Sequence, residues 1–325
     1  MRAYFIRATD GHTLVEAREV PLQEPAAGQV RVRLRAAALN RGEFIAGHGL
    51  TGPGTAKPAG MEGAGEIEKL GAGVTQFSIG ERVMGRVPGA FAEFGLMDVR
   101  EMVAVPAALS WEQAGAVPLV FFLAQDMVLD QGGLKAGEWL LVTGVSSGVG
   151  VAALQVAKAL GARVIGTSGS AGKLDTLKPL GLDVALHTRA ADFCTPVMQA
   201  TGGRGANLAV NTVGGTVFGE CVRALAFEGR LAVVGYVDGN LKAEMDLEAL
   251  HAKRLKLYGV SNKLRTVEQR AATVRGFARD LLPALADGRI KPLIDRVYSL
   301  DELPAAKARM ESNAHVGKIV VRMGK

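Results

Sequence analysis

The sequence contains almost no cysteine. Only Cys194 and Cys221 occur among its 325 residues, so a disulfide framework is excluded. Both lie in segments with a helical pattern, where a free cysteine is expected to be a small buried apolar side chain. Independence from disulfides is typical of a reducing compartment, and we expect a cytoplasmic location.

Long hydrophobic runs are also missing. The longest, AGAVPLVFFLA at residues 114–124, contains Pro118 and is too short to span a membrane. The opening segment, MRAYFIRATDG, is too short and too charged for a signal peptide. We therefore expect no membrane association.

Clusters of basic residues are missing too. The formal net charge is +6, but Lys and Arg are scattered along the chain. Without a basic arm or interleaved aromatic residues, a nucleic-acid partner is not expected. A mild positive charge suits a site that attracts an anionic cofactor. The length suggests two domains rather than one.

The first hundred residues have the pattern of strands and turns. In QVRVRLR, residues 29–35, apolar residues alternate with polar ones, which predicts an antiparallel strand with one face exposed. Glycine-punctuated segments such as GERVMGRV follow. This pattern predicts a small barrel-like β domain.

Beyond Trp111 the pattern changes to short apolar runs separated by helical stretches. Such an order predicts an α/β fold with a doubly wound parallel sheet. The six predicted strands are Leu140–Thr143, Val164–Thr167, Val184–Leu186, Leu208–Val210, Leu231–Val234 and Leu255–Val260. A long helix, a short helix and the strand GKIVVRM complete the chain, and we expect this tail to return to the first domain.

The first predicted strand of the sheet runs into a glycine-rich turn, VTGVSSGVG at residues 142–150. A turn of this kind between a strand and a helix is typical of a phosphate-binding site. The residues predicted to bind a dinucleotide here are Gly144, Ser146, Ser147, Gly148, Val149 and Gly150.

The spacing of these glycines alone resembles the short-chain dehydrogenases. However, a whole predicted domain precedes the turn, and no tyrosine is followed four residues later by the lysine of that family. The chain instead resembles the medium-chain dehydrogenase/reductase superfamily over essentially its whole length. The resemblance rests on AAALNRGEFIAGHG, GMEGAGEIEKLGAGVTQFSIGERVMG, LKAGEWLLVTGVSSGVGVAALQVAKALGARVIGT and HVGKIVVRM, in that order.

This resemblance implies a GroES-like β-rich domain from residues 1–118 and 261–325, and a Rossmann domain from residues 119–260. It also implies a homodimer through Leu255–Val260, the last strand of the parallel sheet, which would otherwise leave an exposed apolar edge.

Zinc-binding members of the superfamily have an early cysteine, a histidine in a G-H-E motif and four structural cysteines. Here Asn40 and Met61 occupy the first two positions, and the first domain has no cysteine. Too few zinc ligands remain. The chain therefore resembles the zinc-free quinone oxidoreductase branch. Without a Lewis acid, oxidation of a simple alcohol is not expected, because nothing is present to hold an alkoxide. A polarised conjugated acceptor, such as a quinone or an enone, takes a hydride with much less help.

Enzymes selective for NAD place an acidic residue about 20 positions after the first glycine of the turn. The segment IGTSGSAGK, residues 165–173, contains none. We expect Ser168, Ser170 and Lys173 to hold the 2′-phosphate of NADPH, as the corresponding lysine does in the family. Thr188, followed by Arg189, occupies the place of a frequent aromatic residue in this pocket.

In the family, the nicotinamide end of the cofactor meets residues that match Asn40, Asn211, Thr212, Gly235, Tyr236 and Asn262. Asn40 either faces the ligand or caps a turn, and Tyr236 or water supplies a proton. His48 is a weaker candidate for proton donor. Ile45 and Thr51 replace tyrosines of bacterial quinone reductases, and Leu123 or Ala124 replaces a threonine that contacts the nicotinamide.

The leading hypothesis is thus an NADPH-dependent, zinc-free reductase of quinones or α,β-unsaturated carbonyl compounds. Two alternatives stay open. One is an enoyl-thioester reductase of the same superfamily, and the other is a cofactor-binding protein with little turnover. The complete glycine turn is compatible with all three.

Overall fold

The computed structural model describes residues 1–9, 12–44 and 56–324. These residues form two units, Met1–Val120 with Thr266–Lys325, and Phe121–Arg265. The candidate residues Ile45, His48 and Thr51 lie outside the described ranges. No helix in these ranges is long and apolar enough to cross a membrane.

The strands of the described residues are numbered in chain order. They are β1 Arg2–Thr9, β2 His12–Glu19, β3 Gln29–Ala38, β4 Lys57–Pro58, β5 Glu62–Leu70, β6 Arg82–Arg86, β7 Phe94–Asp98, β8 Met102–Ala104, β9 Trp139–Thr143, β10 Arg163–Ser168, β11 Val184–His187, β12 Ala206–Asn211, β13 Leu225–Val233, β14 Lys256–Gly259, β15 Ile294–Ser299 and β16 Lys318–Arg322.

The α-helices are numbered in the same way. They are α1 Arg41–Phe44, α2 Trp111–Gly115, α3 Pro118–Ala124, α4 Gly148–Ala159, α5 Ala171–Leu177, α6 Cys194–Ala200, α7 Phe218–Arg223, α8 Leu247–Ala252, α9 Val267–Asp280, α10 Leu282–Ala286 and α11 Leu303–Glu311. A π-helical segment, Gln125–Asp130, continues α3.

The first unit is built from two sheets. One has the order β2-β1-β4, and the other has the order β15-β16-β3-β5-β6-β8, with β7 also paired to β3. The tail therefore returns to the first domain as expected, because β16 pairs with β3. Val30, Val32 and Leu34 on β3 are buried in the core of this unit, since alternate residues of a strand face the same side.

Two details of this unit differ from the sequence-based expectation. Arg31 is only 6% exposed, because its guanidinium donates to Glu68 and to the carbonyl oxygen of Gln23. The tail helix is also not continuous, because α9 ends at Asp280 and α10 starts at Leu282. Pro283, in the first turn of α10, lacks an N–H to extend the hydrogen-bonding pattern of α9.

The second unit contains the predicted α/β sheet. Six parallel strands lie in the order β11-β10-β9-β12-β13-β14, so the doubly wound fold class is confirmed. The inner strand β9 is buried on both faces, and its Leu140, Leu141 and Val142 are all 0% exposed. The edge strands β11 and β14 contain no buried residue. In a parallel sheet every strand ends at the same edge, and the glycine turn follows β9 there.

One edge of this sheet is β14. Val260, just after it, donates its N–H to Val233 on β13. Successive N–H groups of a strand point to opposite sides, so the N–H of Leu257 points away from β13. The side chain of Leu257 is 37% exposed. An open edge with free donors can pair with a second strand, and we propose that it pairs with β14 of a second copy.

The substitution Leu257→Pro tests this dimer. It removes an N–H on the open side and leaves the bonds to β13 intact, so we expect folded monomers. Sedimentation velocity at micromolar concentration measures the assembly, and circular dichroism checks the fold.

Leu257→Ala is the control, because it keeps the N–H and should remain dimeric. The dimer proposal is wrong if the unmodified chain sediments as a monomer, or if Leu257→Pro stays dimeric.

Candidate active site

The predicted cofactor-binding residues of the second unit gather at one edge of the parallel sheet. Each follows or ends a strand at its carboxyl end, which is where open α/β sheets bind ligands. Gly144 follows β9, Ser168 ends β10, Thr188 follows β11, Asn211 ends β12, Gly235 and Tyr236 follow β13, and Asn262 follows β14. Asn40 belongs to the first unit.

The glycine turn is shaped by close backbone approach. Gly144 has a φ of +65°, a conformation that favours glycine. A Cβ on Gly150 would lie 2.7 Å from the carbonyl oxygen of Gly144, so any larger residue would push the helix away from the turn. The Ser147 hydroxyl caps α4 by accepting the N–H of Gly150 at 3.0 Å.

This geometry fits a phosphate. The first N–H groups of a helix have no partner within the helix, and those of Gly148 and Val149 open α4. Both residues are half-exposed. Backbone donors at a helix N-terminus together with the helix dipole favour an anion.

Asn211 and Thr212 connect the end of β12 to the glycine turn. The Thr212 hydroxyl donates to the carbonyl oxygen of Thr143 at 2.7 Å, and a Cβ on Gly144 would lie 2.7 Å from that hydroxyl oxygen. Asn211 is 0% exposed. Its amide accepts from Val213 and Gly214 and donates to the carbonyl oxygen of Gly214. The Asn211 side chain therefore holds the turn after β12 rather than reaching the surface.

The end of β10 brings two of the predicted hydroxyls near the turn. Ser168 Oγ lies 3.4 Å from Ser146 Oγ, which links the end of β10 to the turn after β9. Ser170 precedes α5, where its hydroxyl makes no capping hydrogen bond. Lys173 lies half-buried in the first turn of α5. Ser168, Ser170 and Lys173 all lie within four positions of Gly169 in the chain.

Arg189 is the residue that sequence reasoning did not select. A Cβ on Gly169 would overlap Nε and Cγ of Arg189, so this side chain lies directly over the backbone between Ser168 and Ser170. In the sequence, its position directly after the predicted site residue Thr188 could have pointed to it. The parallel pairing of β10 and β11, which aligns Ser168 with His187, is what carries Arg189 to this place.

The Thr188 hydroxyl is engaged within its own loop. Its hydroxyl accepts the N–H of Ala190 at 2.9 Å and donates to Asp192 at 2.7 Å. The hydroxyl thus closes its own loop, and the exposed Arg189 supplies the polar group at this point.

Three predicted residues lie after the last two strands. A Cβ on Gly235 would lie 3.2 Å from the carbonyl oxygen of Thr212, so this glycine permits close packing of neighbouring turns. The side chain of Tyr236 is 38% exposed. Asn262 accepts a hydrogen bond from Arg265 at 3.4 Å.

In the first unit, Asn40 lies in a buried polar network. Lys318 Nζ donates to Asn40 Oδ1 at 2.6 Å and to Glu62 Oε1 at 2.8 Å. Asn40 Nδ2 lies 2.9 Å from Glu62 Oε1 and 3.2 Å from Glu43 Oε1. The amide hydrogens of Asn40 are therefore directed at the carboxyl groups of Glu62 and Glu43 and at the carbonyl oxygen of Ala38, and a lone pair of Oδ1 is what the amide can offer to a ligand.

Glu62 occupies the position of the glutamate in the G-H-E motif, and it hydrogen-bonds to both Asn40 and Lys318. It is 0% exposed, and its Oε2 accepts the N–H of Leu119 at 2.7 Å. Both carboxylate oxygens are thus engaged within the protein. Among the described residues, no group of three or more His, Cys, Asp or Glu is arranged to hold a metal ion.

Glu43 is the second buried carboxyl of the network. Its pKa is raised to about 8, mainly by burial and also by the nearby Glu62 charge, while hydrogen bonds from Asn40 and Gly60 and the charge of Lys318 oppose the rise. With Glu43 protonated, Glu62 and Lys318 balance each other. Ionising Glu43 places a second negative charge beside Glu62 in a buried site, which is unfavourable.

The variant Glu43→Gln should change how stability depends on pH. Because the pKa of Glu43 is higher in the folded chain than in the unfolded chain, the free energy of unfolding falls as the pH rises toward and through 8. Between pH 6 and pH 9 we expect this fall to be smaller in the variant by about 1–3 kcal/mol, measured by urea unfolding.

Glu248→Gln, at an exposed position on α8, is the matched control and should follow the unmodified chain. An equal fall in Glu43→Gln and in the unmodified chain would contradict the assignment of the raised pKa to Glu43.

Comparison with known families and proteins identifies both units. Residues 26–107 match the alcohol dehydrogenase GroES-like domain, and residues 148–274 match the zinc-binding dehydrogenase family. Among curated proteins, polyketide synthase GfsB of Streptomyces halstedii is 31% identical over 307 residues, or 94% of this chain. The chain spans only 5% of that synthase.

Two solved structures are similar over nearly the whole chain. A mycobacterial protein complexed with NADPH has a TM-score of 0.86 and 28% identity, covering 99% of this chain and 100% of that one. A Pseudomonas syringae quinone oxidoreductase has a TM-score of 0.86 and 26% identity, with the same coverage of both chains. With its GroES-like unit, its parallel nucleotide-binding sheet and these relatives, the chain belongs to the medium-chain dehydrogenase/reductase superfamily, an oxidoreductase superfamily, and to its quinone oxidoreductase-like branch.

Proposed function

We propose that this oxidoreductase uses NADPH to reduce quinones or α,β-unsaturated carbonyl compounds without zinc. The observation that carries the proposal is the set of polar and basic residues near Gly169. Arg189 lies over Gly169, Ser168 and Ser170 flank it in the chain, and Lys173 follows in the first turn of α5. No acidic residue occurs between Gly144 and Lys173. An acidic residue there would bond the ribose 2′-hydroxyl of NADH and repel a 2′-phosphate.

The residues of the second unit fit a nicotinamide dinucleotide phosphate. The N–H groups of Gly148 and Val149 would hold the pyrophosphate, and Lys173 and Arg189 would hold the 2′-phosphate through charge-assisted hydrogen bonds. When bound, the reduced cofactor supplies a hydride. The similar mycobacterial protein complexed with NADPH supports this choice of cofactor.

Two observations support an electron-poor acceptor. Asn40 and Met61 occupy positions that hold zinc ligands in other members, and the oxygens of Glu62 are already engaged. These residues give a metal too few ligands to stabilise an alkoxide. Quinones and enones take up a hydride without that help, and the similar quinone oxidoreductase supports the class.

Proton delivery needs no dedicated buried acid. The exposed ring of Tyr236 follows β13 at the carboxyl edge of the sheet, and its hydroxyl or a water molecule would give the proton. Asn40, held by Lys318 and Glu62, would present Oδ1 as an acceptor and orient a ligand.

The enoyl-thioester reductase is the second candidate. The similarity to a polyketide synthase favours it, because polyketide chains are assembled as thioesters. The third candidate, a cofactor-binding protein with little turnover, would keep the same phosphate-binding turn.

An acceptor screen tests the proposed reaction. We expect NADPH oxidation with quinones and enones, unchanged after prolonged treatment with a chelator, and well under one zinc per purified chain. The loss of NADPH absorbance is a suitable readout. Saturated alcohols with oxidised cofactor should be poor substrates, because no cation stabilises the alkoxide.

Enoyl thioesters form a separate arm of the screen. A preference for them would select the second candidate, and bound NADPH without consumption by any acceptor would select the third. Activity that is lost on chelation and restored by zinc would show the zinc-free assignment to be wrong.

Cofactor preference is tested by Lys173→Glu and Arg189→Gln. A charge-assisted hydrogen bond contributes about 1.5–3 kcal/mol, or about tenfold to a hundredfold in affinity. Each variant should therefore weaken NADPH by at least about tenfold and leave NADH nearly unchanged, measured as dissociation constants by fluorescence titration.

Lys178→Glu is the matched control, because this exposed lysine pairs with Asp175 and should not affect either cofactor. Equal losses of NADPH and NADH in the Lys173 and Arg189 variants would overturn the assignment of a 2′-phosphate site.

A further inference from the structure

The first unit contains a cavity of about 420 Å³ that includes none of the predicted nucleotide-binding residues. It lies against β1, β3, β7 and the start of α9. Much of its wall is apolar, with contributions from Phe5, Leu22, Pro58, Phe94 and Leu96. A cavity of this size and lining is within the range of small-molecule sites.

The charged groups on the wall do not balance. Glu101 forms ion pairs with both Arg270 and Arg86, and the pair with Arg86 is long, at 3.7 Å. One carboxylate therefore faces two guanidinium groups. Arg270 holds it through a short contact of its Nε, which leaves Arg86 with the weaker interaction.

The three other charged groups on the wall are paired with groups outside the cavity. The N-terminal ammonium of Met1 lies 3.5 Å from Glu19. Arg31 pairs with Glu68 and Glu24. Asp98 pairs with Arg100 at 2.6 Å. Among the charged groups of this wall, Arg86 therefore has the longest ion pair, at 3.7 Å to Glu101.

Arg86 is also partly removed from water. Burial lowers its pKa, Glu101 opposes this, and Arg270 adds to it. A cation in an apolar wall with incomplete pairing is stabilised by an anion that brings its own apolar surface. A strongly hydrated dianion would not gain from the apolar wall.

We propose that this cavity binds a small amphipathic monocarboxylate, with its carboxylate against Arg86 and its hydrocarbon body against Phe5, Phe94 and Leu96. The site is separate from the proposed reductase chemistry. Its ligand is recognised by one negative charge joined to an unbranched or aromatic apolar body.

Octanoate and 1-octanol are the probes, because they share the hydrocarbon chain and differ in charge. Isothermal titration calorimetry of the full chain should detect octanoate binding, with 1-octanol weaker by at least about tenfold. In Arg86→Gln, octanoate should lose at least about tenfold in affinity, whereas 1-octanol should bind as before. Saturating NADPH should not displace octanoate.

A second variant keeps the test valid if Arg86→Gln does not fold. Leu22 is exposed on the rim of the cavity, so Leu22→Glu should preserve the fold and repel octanoate. Arg296→Gln, at an exposed arginine on β15 outside the cavity, is the control. Absence of octanoate binding, displacement by NADPH, or equal binding to all variants would overturn the proposal, whatever the acceptor screen shows.

Discussion

The second unit depends on how closely backbones approach where β9 turns into α4. The space that a Cβ at Gly150 would need is occupied by the carbonyl oxygen of Gly144, and the space at Gly144 is occupied by the Thr212 hydroxyl. These two contacts fix where α4 begins and how the end of β12 packs on the turn. Because Gly144 and Gly150 have no side chains, the N-terminus of α4 stays partly exposed. An exposed helix N-terminus of this kind favours an anion.

A different constraint organises the first unit. Lys318 near the end of the chain, Asn40 after β3 and Glu62 at the start of β5 meet in one buried network. A buried ammonium needs a carboxylate and full hydrogen bonding to offset the loss of hydration. The network therefore ties the returning tail to the strands of the N-terminal segment, and it sets the orientation of the Asn40 amide.

The sequence predicted those features of the fold that depend on the local pattern of residues. Apolar runs identified all six strands of the parallel sheet, and the glycine spacing identified the turn after β9, because both follow from short-range geometry. Other features depend on hydrogen-bond partners that the sequence pattern does not reveal. They are the burial of Arg31, the hydrogen bonds of the Asn211 amide within its own turn and the closing of a loop by Thr188. Arg189 was missed for the same reason, since its place over Gly169 arises from the pairing of two strands.

Gly169 has a consequence for how this site can evolve. It contributes no side chain, yet any side chain there would displace Arg189 from the backbone between the two serines. The charge presented at this edge of the sheet is thus governed by steric room at a neighbouring position. Substitutions at position 169 would therefore move Arg189 without changing any charged residue, and a comparison of relatives that tracks only charged positions would overlook them.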